Sequence, residues 1–369
     1  MTSYFDPVTI GDLDLPNRII MAPLTRARAT RDGVPVRIMA DYYRQRAGTG
    51  LIISEATYPN DQGIGFELVP GLYNDAQVEA WKPVTDAVHA AGGRMFCQLG
   101  HCGRVAASYL MNGRDPLSPS GLNDDLGQIE PHAKLENGAY VKIAPTPSRA
   151  MTLSEIQQTV EDFGQAAANA MRAGFDGVEI HAANGYLPNQ FLSDRLNTRD
   201  DRYGGSIENR ARFVVEIFEA MNQHVPANRI GIRVSPYGVY NNARPSDPAE
   251  IFGYLARQMD RLGAAYMHSA DTNGWFGLPD QAQILNVLRP NFSGAIIANG
   301  GLTVADGARL LSEGRVQAIA FGRAFIANPD LVDRIAQGAP LAETPQGGWY
   351  AQGEKDYANF PTLTQMQTA

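Results

Sequence analysis

The chain has 369 residues, of which 44% are hydrophobic and 19% are charged, and its formal net charge is −8. This composition is typical of a globular protein with a large core, and the length suits two ordinary domains or one large α/β barrel. The acidic balance and the absence of a long Lys/Arg run argue against binding to nucleic acid or to an anionic membrane surface.

Targeting signals are not recognisable in the sequence. The N-terminus does not begin with a basic segment followed by an apolar one, and no run of 18 apolar residues is present. The two cysteines, Cys97 and Cys102, are too few for a disulfide framework. We therefore expect a cytoplasmic protein with no membrane association, most simply a monomer, with a dimer as the alternative.

Taken in chain order, short β-branched runs alternate with helix-like segments, which indicates βα units and a parallel sheet. Residues 1–16 are expected to form a small hairpin ahead of the first unit. The predicted strands are Arg18–Ala22, Leu51–Glu55, Arg94–Leu99, Gly177–His181, Ile230–Ser235, Tyr266–Ser269, Ala295–Asn299 and Ala318–Phe321. The predicted helices include Asp75–Ala91, Leu153–Ala173, Ile207–Val225, Pro248–Leu262 and Val304–Glu313.

Eight such units without a reversal of pattern predict a single (β/α)8 TIM barrel spanning residues 1–369, with a doubly wound sheet as the second choice. The hairpin would close the bottom of the barrel. Residues 100–152, after the third strand, are rich in Gly, Pro and Asn and show little helical period. Loops of that length are uncommon unless they are functional, so we expect this insertion to cap the barrel mouth.

The active sites of barrel enzymes lie at the C-terminal ends of the strands. The fourth predicted strand ends in E-I-H-A-A-N-G-Y, which places His181, Asn184 and Tyr186 within six positions. A metal role for His181 is disfavoured because no carboxylate or second histidine lies at ligand spacing, so no metal site is predicted. Packing is the main alternative for Tyr186, although its two polar neighbours favour a site.

The last two predicted strands end in Asn299-Gly300-Gly301 and Phe321-Gly322-Arg323. Glycine-rich loops at these positions bind phosphate in barrels of this type, and an arginine adds a fixed cation. We therefore predict a single-phosphate site there. Gln98 and Arg233 would be costly inside the barrel if unpaired, so each either binds a planar heterocycle or satisfies a core carbonyl.

Five ordered motifs carry a family resemblance across residues 17–331. They read N-R-I-I-M-A-P-L-T-R, Q-L-G-H-C-G-R, V-E-I-H-A-A-N-G-Y-L, D-R-Y-G-G-S-I-E-N-R-A-R-F and A-F-G-R-A-F-I-A-N-P-D-L. With these motifs the chain resembles the Old Yellow Enzyme family of FMN-dependent ene-reductases, close to its glycerol-trinitrate and N-ethylmaleimide reductase branch.

The resemblance implies roles for individual residues. The isoalloxazine of FMN would be lined by Pro23, Leu24, Thr25, Ala56, Gln98 and Arg233, with Thr25 bonded to flavin O4. The phosphate would be held by Gly301, Gly322 and Arg323. His181 and Asn184 would bind the activating oxygen of the substrate, and Tyr186 would be the proton donor. On a looser match, Phe66, Trp275 and Tyr357 would form pocket walls.

The implied activity is reduction of alkenes conjugated to a carbonyl or nitro group, with NAD(P)H as the reducing co-substrate and non-covalent FMN between them. Because no G-x-G-x-x-G motif is present, NAD(P)H would bind transiently at the flavin. The sequence leaves the choice between NADH and NADPH open. Reduction of nitrate esters or nitroaromatics at the same site is an alternative, as are a flavin-free hydrolase or aldolase barrel and an FMN-binding ligand sensor.

The sequence departs from the branch pattern at two positions. Gly100 stands where Gln-Leu-Trp-His would place a bulky aromatic, so we expect a roomier substrate pocket there. Thr25, and not cysteine, follows Pro23-Leu24, which argues against tuning of the flavin by a thiol.

Overall fold

A computed structural model describes residues 2–273, 277, 279–345, 347, 349–350 and 353–368. Eight parallel strands close into a barrel in chain order, the last pairing with the first. The strands are β1 (Val8–Ile10), β2 (Leu13–Leu15), β3 (Ile19–Met21), β4 (Leu51–Ile53), β5 (Met95–Leu99), β6 (Leu117–Ser118), β7 (His132–Lys134), β8 (Tyr140–Lys142), β9 (Arg149–Ala150), β10 (Gly177–Ala182), β11 (Ile230–Val234), β12 (Tyr266–Ser269), β13 (Ala295–Asn299) and β14 (Ala318–Phe321). The predicted (β/α)8 barrel is confirmed.

Helices follow the strands on the outside of the barrel and pack on them through buried apolar faces. In the described residues they are α1 (Ile38–Arg44), α2 (Asp75–Ala90), α3 (Leu153–Arg172), α4 (Leu187–Leu192), α5 (Ile207–Asn222), α6 (Pro248–Leu262), α7 (Gln281–Leu288), α8 (Val304–Ser312), α9 (Arg323–Ala327), α10 (Leu331–Gln337) and α11 (Leu363–Thr368). None of these helices is long and apolar enough to cross a membrane. Capping boxes at Thr152 and Thr303 begin α3 and α8.

The predicted strands and helices differ from the observed ones mainly at their ends. The predicted strands Arg18–Ala22 and Leu51–Glu55 are longer than β3 and β4, which end at Met21 and Ile53. Ala22 and Ser54 still donate one ladder hydrogen bond each, at 3.0 and 2.9 Å, before the chain turns into the loops of the barrel mouth. The differences therefore reflect fraying ends and not a different register.

The N-terminal hairpin closes the bottom of the barrel. Strands β1 and β2 pair antiparallel, and Ile10 and Leu15 pack with inward-facing residues of the barrel such as Ile20 and Phe96. At the tip of this hairpin Gly11 has φ +63°, and a Cβ on it would lie 1.8 Å from the carbonyl oxygen of Asn228. Only glycine fits this turn without displacing the loop before β11.

The insertion after β5 contains two small sheets, β6 with β9 and β7 with β8. A buried ion pair between Arg104 and Asp125 ties it together, and Asn242, beyond β11, donates a hydrogen bond to the same carboxylate. The Phe66 ring stacks on His132 of β7 at 4.9 Å, which joins the insertion to the loop after β4. The insertion therefore borders the barrel mouth through buried polar and aromatic contacts.

Candidate active site

A cavity of about 440 Å³ lies at the C-terminal ends of the barrel strands, within the usual range for cofactor and small-molecule sites. Most of the residues predicted for the site line it. They are Pro23, Leu24, Thr25, Ala56, Phe66, Gln98, Gly100, His181, Asn184, Tyr186, Arg233, Gly300, Gly301, Gly322 and Arg323. Residues far apart in the sequence meet here because parallel barrel strands all end on one face.

A tight turn after β10 brings Asn184 and Tyr186 to the same wall as His181. Asn184 adopts φ +60° and Gly185 φ +75°, so the chain reverses directly after the strand. The Asn184 amide N–H donates to Ser235 Oγ at 2.9 Å, and its carbonyl accepts from Asn241 Nδ2 at 2.9 Å. With the backbone held on both sides, the Asn184 side chain is left to face the cavity.

His181 and Tyr186 pack edge to face, with ring centroids 4.9 Å apart. Burial, with a smaller effect of the nearby Arg233 charge, holds the pKa of His181 well below its ordinary value. Burial also raises the pKa of Tyr186 well above its ordinary value. At neutral pH the wall therefore presents a neutral imidazole and a protonated phenol.

His181 and Asn184 each keep a donor group available to a ligand. His181 Nδ1 and Asn184 Oδ1 are buried without a hydrogen-bond partner in the described residues. His181 Nε2 and Asn184 Nδ2 likewise make no hydrogen bond within the described residues, and both residues line the cavity. The two side chains can therefore donate to one oxygen atom of a bound molecule.

The floor of the cavity carries Gln98 and Arg233. The Gln98 amide nitrogen donates to Glu179 Oε1 at 2.7 Å, and Arg233 Nη2 donates to Asn299 Oδ1 at 2.7 Å. Both side chains have further polar atoms with no hydrogen-bond partner in the described part of the chain. The floor thus offers an amide oxygen and a guanidinium N–H to the edge of a planar group bound in the cavity.

The loop after β3 is shaped by Glu55, a buried carboxylate two residues after the end of β4. Its Oε2 accepts hydrogen bonds from the backbone N–H groups of Arg26 and Ala27, at 3.0 and 3.1 Å. These two bonds hold the chain directly after Thr25, which lines the cavity. The position of Thr25 therefore depends on a residue that the sequence patterns do not single out.

Glycines directly after β13 and β14 form one corner of the cavity. Gly300 has φ +124°, and a Cβ there would lie 2.4 Å from the Asp271 carbonyl oxygen, so a larger residue is excluded. Gly301 has φ +65°, and Gly322 and Arg323 complete the corner. Backbone N–H groups free of side chains, together with a guanidinium, suit a phosphate group.

One predicted wall residue, Tyr357, does not line the cavity. Tyr357 is fully buried outside the lining and stacks on Tyr42 with centroids 4.1 Å apart, so its assignment is wrong. Cation–π contacts from Arg26 and Arg28 explain its position, since both guanidiniums lie about 5 Å from its ring. Trp275 lies outside the described residues.

Tyr350 forms part of the cavity wall, although the sequence patterns do not identify it. Tyr350 lines the cavity and packs on Tyr140 of β8 at a centroid distance of 5.0 Å. Arg26 Nε holds the segment by donating to the carbonyl of the preceding residue, Trp349, at 3.1 Å. Tyr240, from the loop after β11, also lines the cavity. Their positions depend on long-range contacts of irregular segments, so local sequence offers little signal for them.

Known proteins share this architecture and sequence over nearly the whole chain. Residues 3–342 match the sequence model of the NADH:flavin oxidoreductase / NADH oxidase family. A chanoclavine-I aldehyde reductase of Penicillium roqueforti is 40% identical over 382 residues, covering 100% of this chain and 99% of that protein. 12-oxophytodienoate reductase 1 of Oryza sativa subsp. japonica is 39% identical over 369 residues, covering 98% and 93%.

Solved structures agree with the sequence comparison. Morphinone reductase in complex with tetrahydroNAD superposes with a TM-score of 0.93 at 42% identity, covering 98% of both chains. The Old Yellow Enzyme homologue of Zymomonas mobilis gives a TM-score of 0.91 at 42% identity, covering 98% of this chain and 100% of that one. The chain belongs to the Old Yellow Enzyme family. It is an FMN-dependent oxidoreductase that uses a nicotinamide nucleotide, and the flavin-free alternative is wrong.

The cavity of this Old Yellow Enzyme fits FMN on its own features. Gln98 and Arg233 present unpaired polar atoms where a flavin ring needs partners, and a Cβ at Gly300 would collide with the backbone. Together with Arg323, these groups supply a polar floor and a phosphate-sized corner in one cavity.

Proposed function

We propose that this Old Yellow Enzyme reduces the C=C bond of alkenes activated by a carbonyl or nitro group, such as enones, enals, maleimides and nitroalkenes, at the expense of NAD(P)H. The observation that carries the proposal is the grouping of His181, Asn184 and Tyr186 on one wall of the cofactor cavity. Two neutral donors and a protonated phenol provide what the reduction of an activated alkene needs from a protein.

The FMN ring would be held by Gln98 and Arg233 through hydrogen bonds at its edge, and Pro23, Leu24, Thr25 and Ala56 would border it. Its phosphate would occupy the corner formed by Gly300, Gly301, Gly322 and Arg323. When bound, FMN supplies the redox chemistry by taking a hydride from NAD(P)H and giving one to the β-carbon of the alkene. The side chains of the protein would position the substrate, stabilise the negative charge that builds on its oxygen, and supply the proton for the α-carbon.

His181 and Asn184 would donate hydrogen bonds to the carbonyl or nitro oxygen of the substrate. Negative charge builds on this oxygen as the β-carbon receives a hydride, so the two donors act as an oxyanion hole does. The low pKa of His181, caused by burial, keeps the imidazole neutral over the physiological range. Removing one such donor typically lowers the rate by about 10²–10³-fold.

Tyr186 would give its phenolic proton to the α-carbon. Its ring contacts both His181 and Phe66, which hold it beside the oxygen site and against the cavity wall. The raised pKa that results from burial keeps the proton on the phenol until it is needed. A positioned general acid of this kind contributes roughly 10²–10⁴-fold to a rate.

The names of the relatives support this substrate class. An oxophytodienoate reductase, a chanoclavine-I aldehyde reductase and a morphinone reductase are each named for a carbonyl compound. A carbonyl oxygen is the group that paired donors such as His181 and Asn184 would bind.

An anaerobic titration tests the proposal. NAD(P)H should bleach the flavin absorbance of the purified protein, and addition of 2-cyclohexenone should restore it in proportion to the enone added. Cyclohexanone, which lacks the C=C bond, is the matched control and should restore nothing. A flavin that bleaches with NAD(P)H but is not restored by any activated alkene would refute the proposed activity.

A further inference from the structure

A buried carboxylate below the cavity floor is not used by the mechanism above. Glu179 lies on β10 two residues before His181, so both side chains point into the barrel from the same strand face. Glu179 is 0% exposed and pairs in register with Gln98 of β5. Burying a carboxylate costs free energy unless hydrogen-bond partners compensate for the lost water, so the partners of Glu179 bear on its function.

Both carboxylate oxygens of Glu179 are engaged. Oε1 lies 2.7 Å from Gln98 Nε2, and Oε2 lies 2.9 Å from His268 Nδ1 on β12. Burial lowers the pKa of His268, which therefore is a neutral imidazole that can donate from Nδ1. Burial also lowers the pKa of the Arg233 guanidinium, while the Glu179 charge partly opposes that shift. Glu179 is thus the anionic centre of a polar layer directly beneath the floor.

The pairing with Glu179 fixes which end of the Gln98 amide faces the cavity. The Gln98 NH₂ group donates to Glu179 Oε1 at 2.7 Å, so the nitrogen end of the amide is turned toward the carboxylate. The carbonyl oxygen of Gln98 is then left at the cavity, with no hydrogen-bond partner among the described residues. Gln98 therefore presents an acceptor to the cofactor, and not a donor.

The pyrimidine ring of oxidised flavin carries one N–H group, N3–H, between two carbonyl oxygens. An acceptor at the edge of the ring would match N3–H, whereas an NH₂ group in its place would match the N3 anion. Arg233 supplies the complementary donor and charge from the neighbouring strand, as His181 and Arg233 are register partners on β10 and β11. The donor and acceptor pattern of the floor is thus set by a residue that does not line the cavity.

We infer that Glu179 is a positioning residue, which locks the Gln98 amide with its oxygen toward flavin N3–H and places a negative charge beneath Arg233. The inference rests on FMN occupying the cavity, as membership of the family implies. Two consequences are measurable on the bound flavin without turnover. The N3 proton is held more tightly, and the negative charge makes the flavin harder to reduce.

Glu179→Gln tests the inference because the variant keeps the shape of the side chain but offers both a donor and an acceptor to Gln98. The Gln98 amide can then turn over. In an alkaline optical titration of the bound oxidised flavin, we expect the midpoint of N3 ionisation to fall by about one pH unit, the effect of a typical hydrogen bond. The midpoint potential of the flavin should shift to a more positive value.

Asp176→Asn is the matched control. Asp176 precedes the same strand at the opposite end of the barrel, where its carboxylate bonds His89 Nε2 at 2.9 Å and the Met95 amide at 2.8 Å. This variant also neutralises a carboxylate anchored by hydrogen bonds, but far from Gln98, so both flavin readouts should equal those of the wild type. Equal N3 midpoints and potentials in wild type, Glu179→Gln and Asp176→Asn would overturn the inference.

A measurement on the wild-type holoenzyme covers the case in which Glu179→Gln fails to fold. With FMN labelled with ¹⁵N at N3, an N3–H signal protected from solvent exchange and shifted downfield is expected, and an exchanging signal at the position of free FMN would overturn the inference. Enone turnover of the same preparation separates the two proposals. If the enone is reduced but the N3–H signal exchanges as in free FMN, only the role of Glu179 is contradicted. If the N3–H signal is protected and shifted as expected but no enone is reduced, only the proposed activity is contradicted.

Discussion

At the scale of single residues, the site consists of side chains whose unpaired atoms face one cavity. His181, Asn184 and Tyr186 could be predicted from sequence because they lie at the C-terminal end of a buried strand or in the turn after it, and a barrel places all strand ends together. Glu179, two residues before His181 on the same strand, gives no such signal. An acidic residue inside a β-branched run looks the same in the sequence whether it bonds a core amide or a cofactor. The role of Glu179 depends on the register of β5 against β10, which appears only in the structure.

The absence of a side chain at Gly100 leaves space beside the oxygen site. A Cβ at this position would lie 3.4 Å from His181 Cβ and 3.6 Å from Ala56 Cβ, both ordinary contacts. The backbone therefore accepts a side chain, and anything beyond Cβ would occupy space next to His181.

Gly100→Trp should consequently exclude bulky enones. We expect kcat/KM for a large substituted enone to fall by at least about tenfold while 2-cyclohexenone is affected much less, since steric loss in a pocket of this kind is worth about 1–3 kcal/mol. Gly100→Ala, which fills only the Cβ position, is the control and should resemble wild type. An unchanged substrate range and stereochemistry in Gly100→Trp would show that this position does not shape the pocket.

At the scale of structural elements, the strands of the barrel were predictable and the insertion was not. Strands β12, β13 and β14 match their predicted limits, because buried parallel strands form continuous apolar runs. The sheets of the insertion, by contrast, consist of strands of two or three residues, as in β6 and β9, which are too short for any periodicity. Their order depends on tertiary contacts such as the ion pair of Arg104 with Asp125.

Removing Asp125 should therefore destabilise the protein strongly. Both side chains of this ion pair are 1% exposed, so Asp125→Ala leaves a buried guanidinium without its charge partner, a change that costs about 3–5 kcal/mol. Asp124→Ala is the adjacent control, because its side chain is 69% exposed and its contact to Arg195 is 3.6 Å long, so its effect should be below about 1 kcal/mol. Urea denaturation measures both, and equal stabilities of the two variants would contradict a structural role for the buried pair.

At the scale of the whole molecule, the fold brings together groups with separate tasks. The hairpin closes the bottom of the barrel, and the glycines after β13 and β14 form a phosphate-sized corner. Another wall carries His181 at the end of β10 and Asn184 and Tyr186 in the turn that follows it. Closure of the barrel followed from eight repeated units in the sequence. The wall formed by Tyr350 could not be predicted from the sequence, because the C-terminal segment is irregular and is held by hydrogen bonds from Arg26, in the loop after β3. The assignment of Tyr357 to the cavity wall is wrong for the same reason, because this residue lies in the irregular segment and its position depends on tertiary contacts.

The central claim is that FMN carries the hydride while Tyr186 supplies the proton to the alkene. Stopped-flow spectroscopy of Tyr186→Phe tests this claim most directly. The two half-reactions are followed separately under anaerobic conditions, first with NAD(P)H and then with 2-cyclohexenone. We predict that flavin reduction proceeds at the wild-type rate, while reoxidation by the enone slows by roughly 10²–10⁴-fold, the loss expected for a general acid. Reoxidation at the wild-type rate, or equal slowing of both half-reactions, would contradict the assignment of Tyr186 as the proton donor.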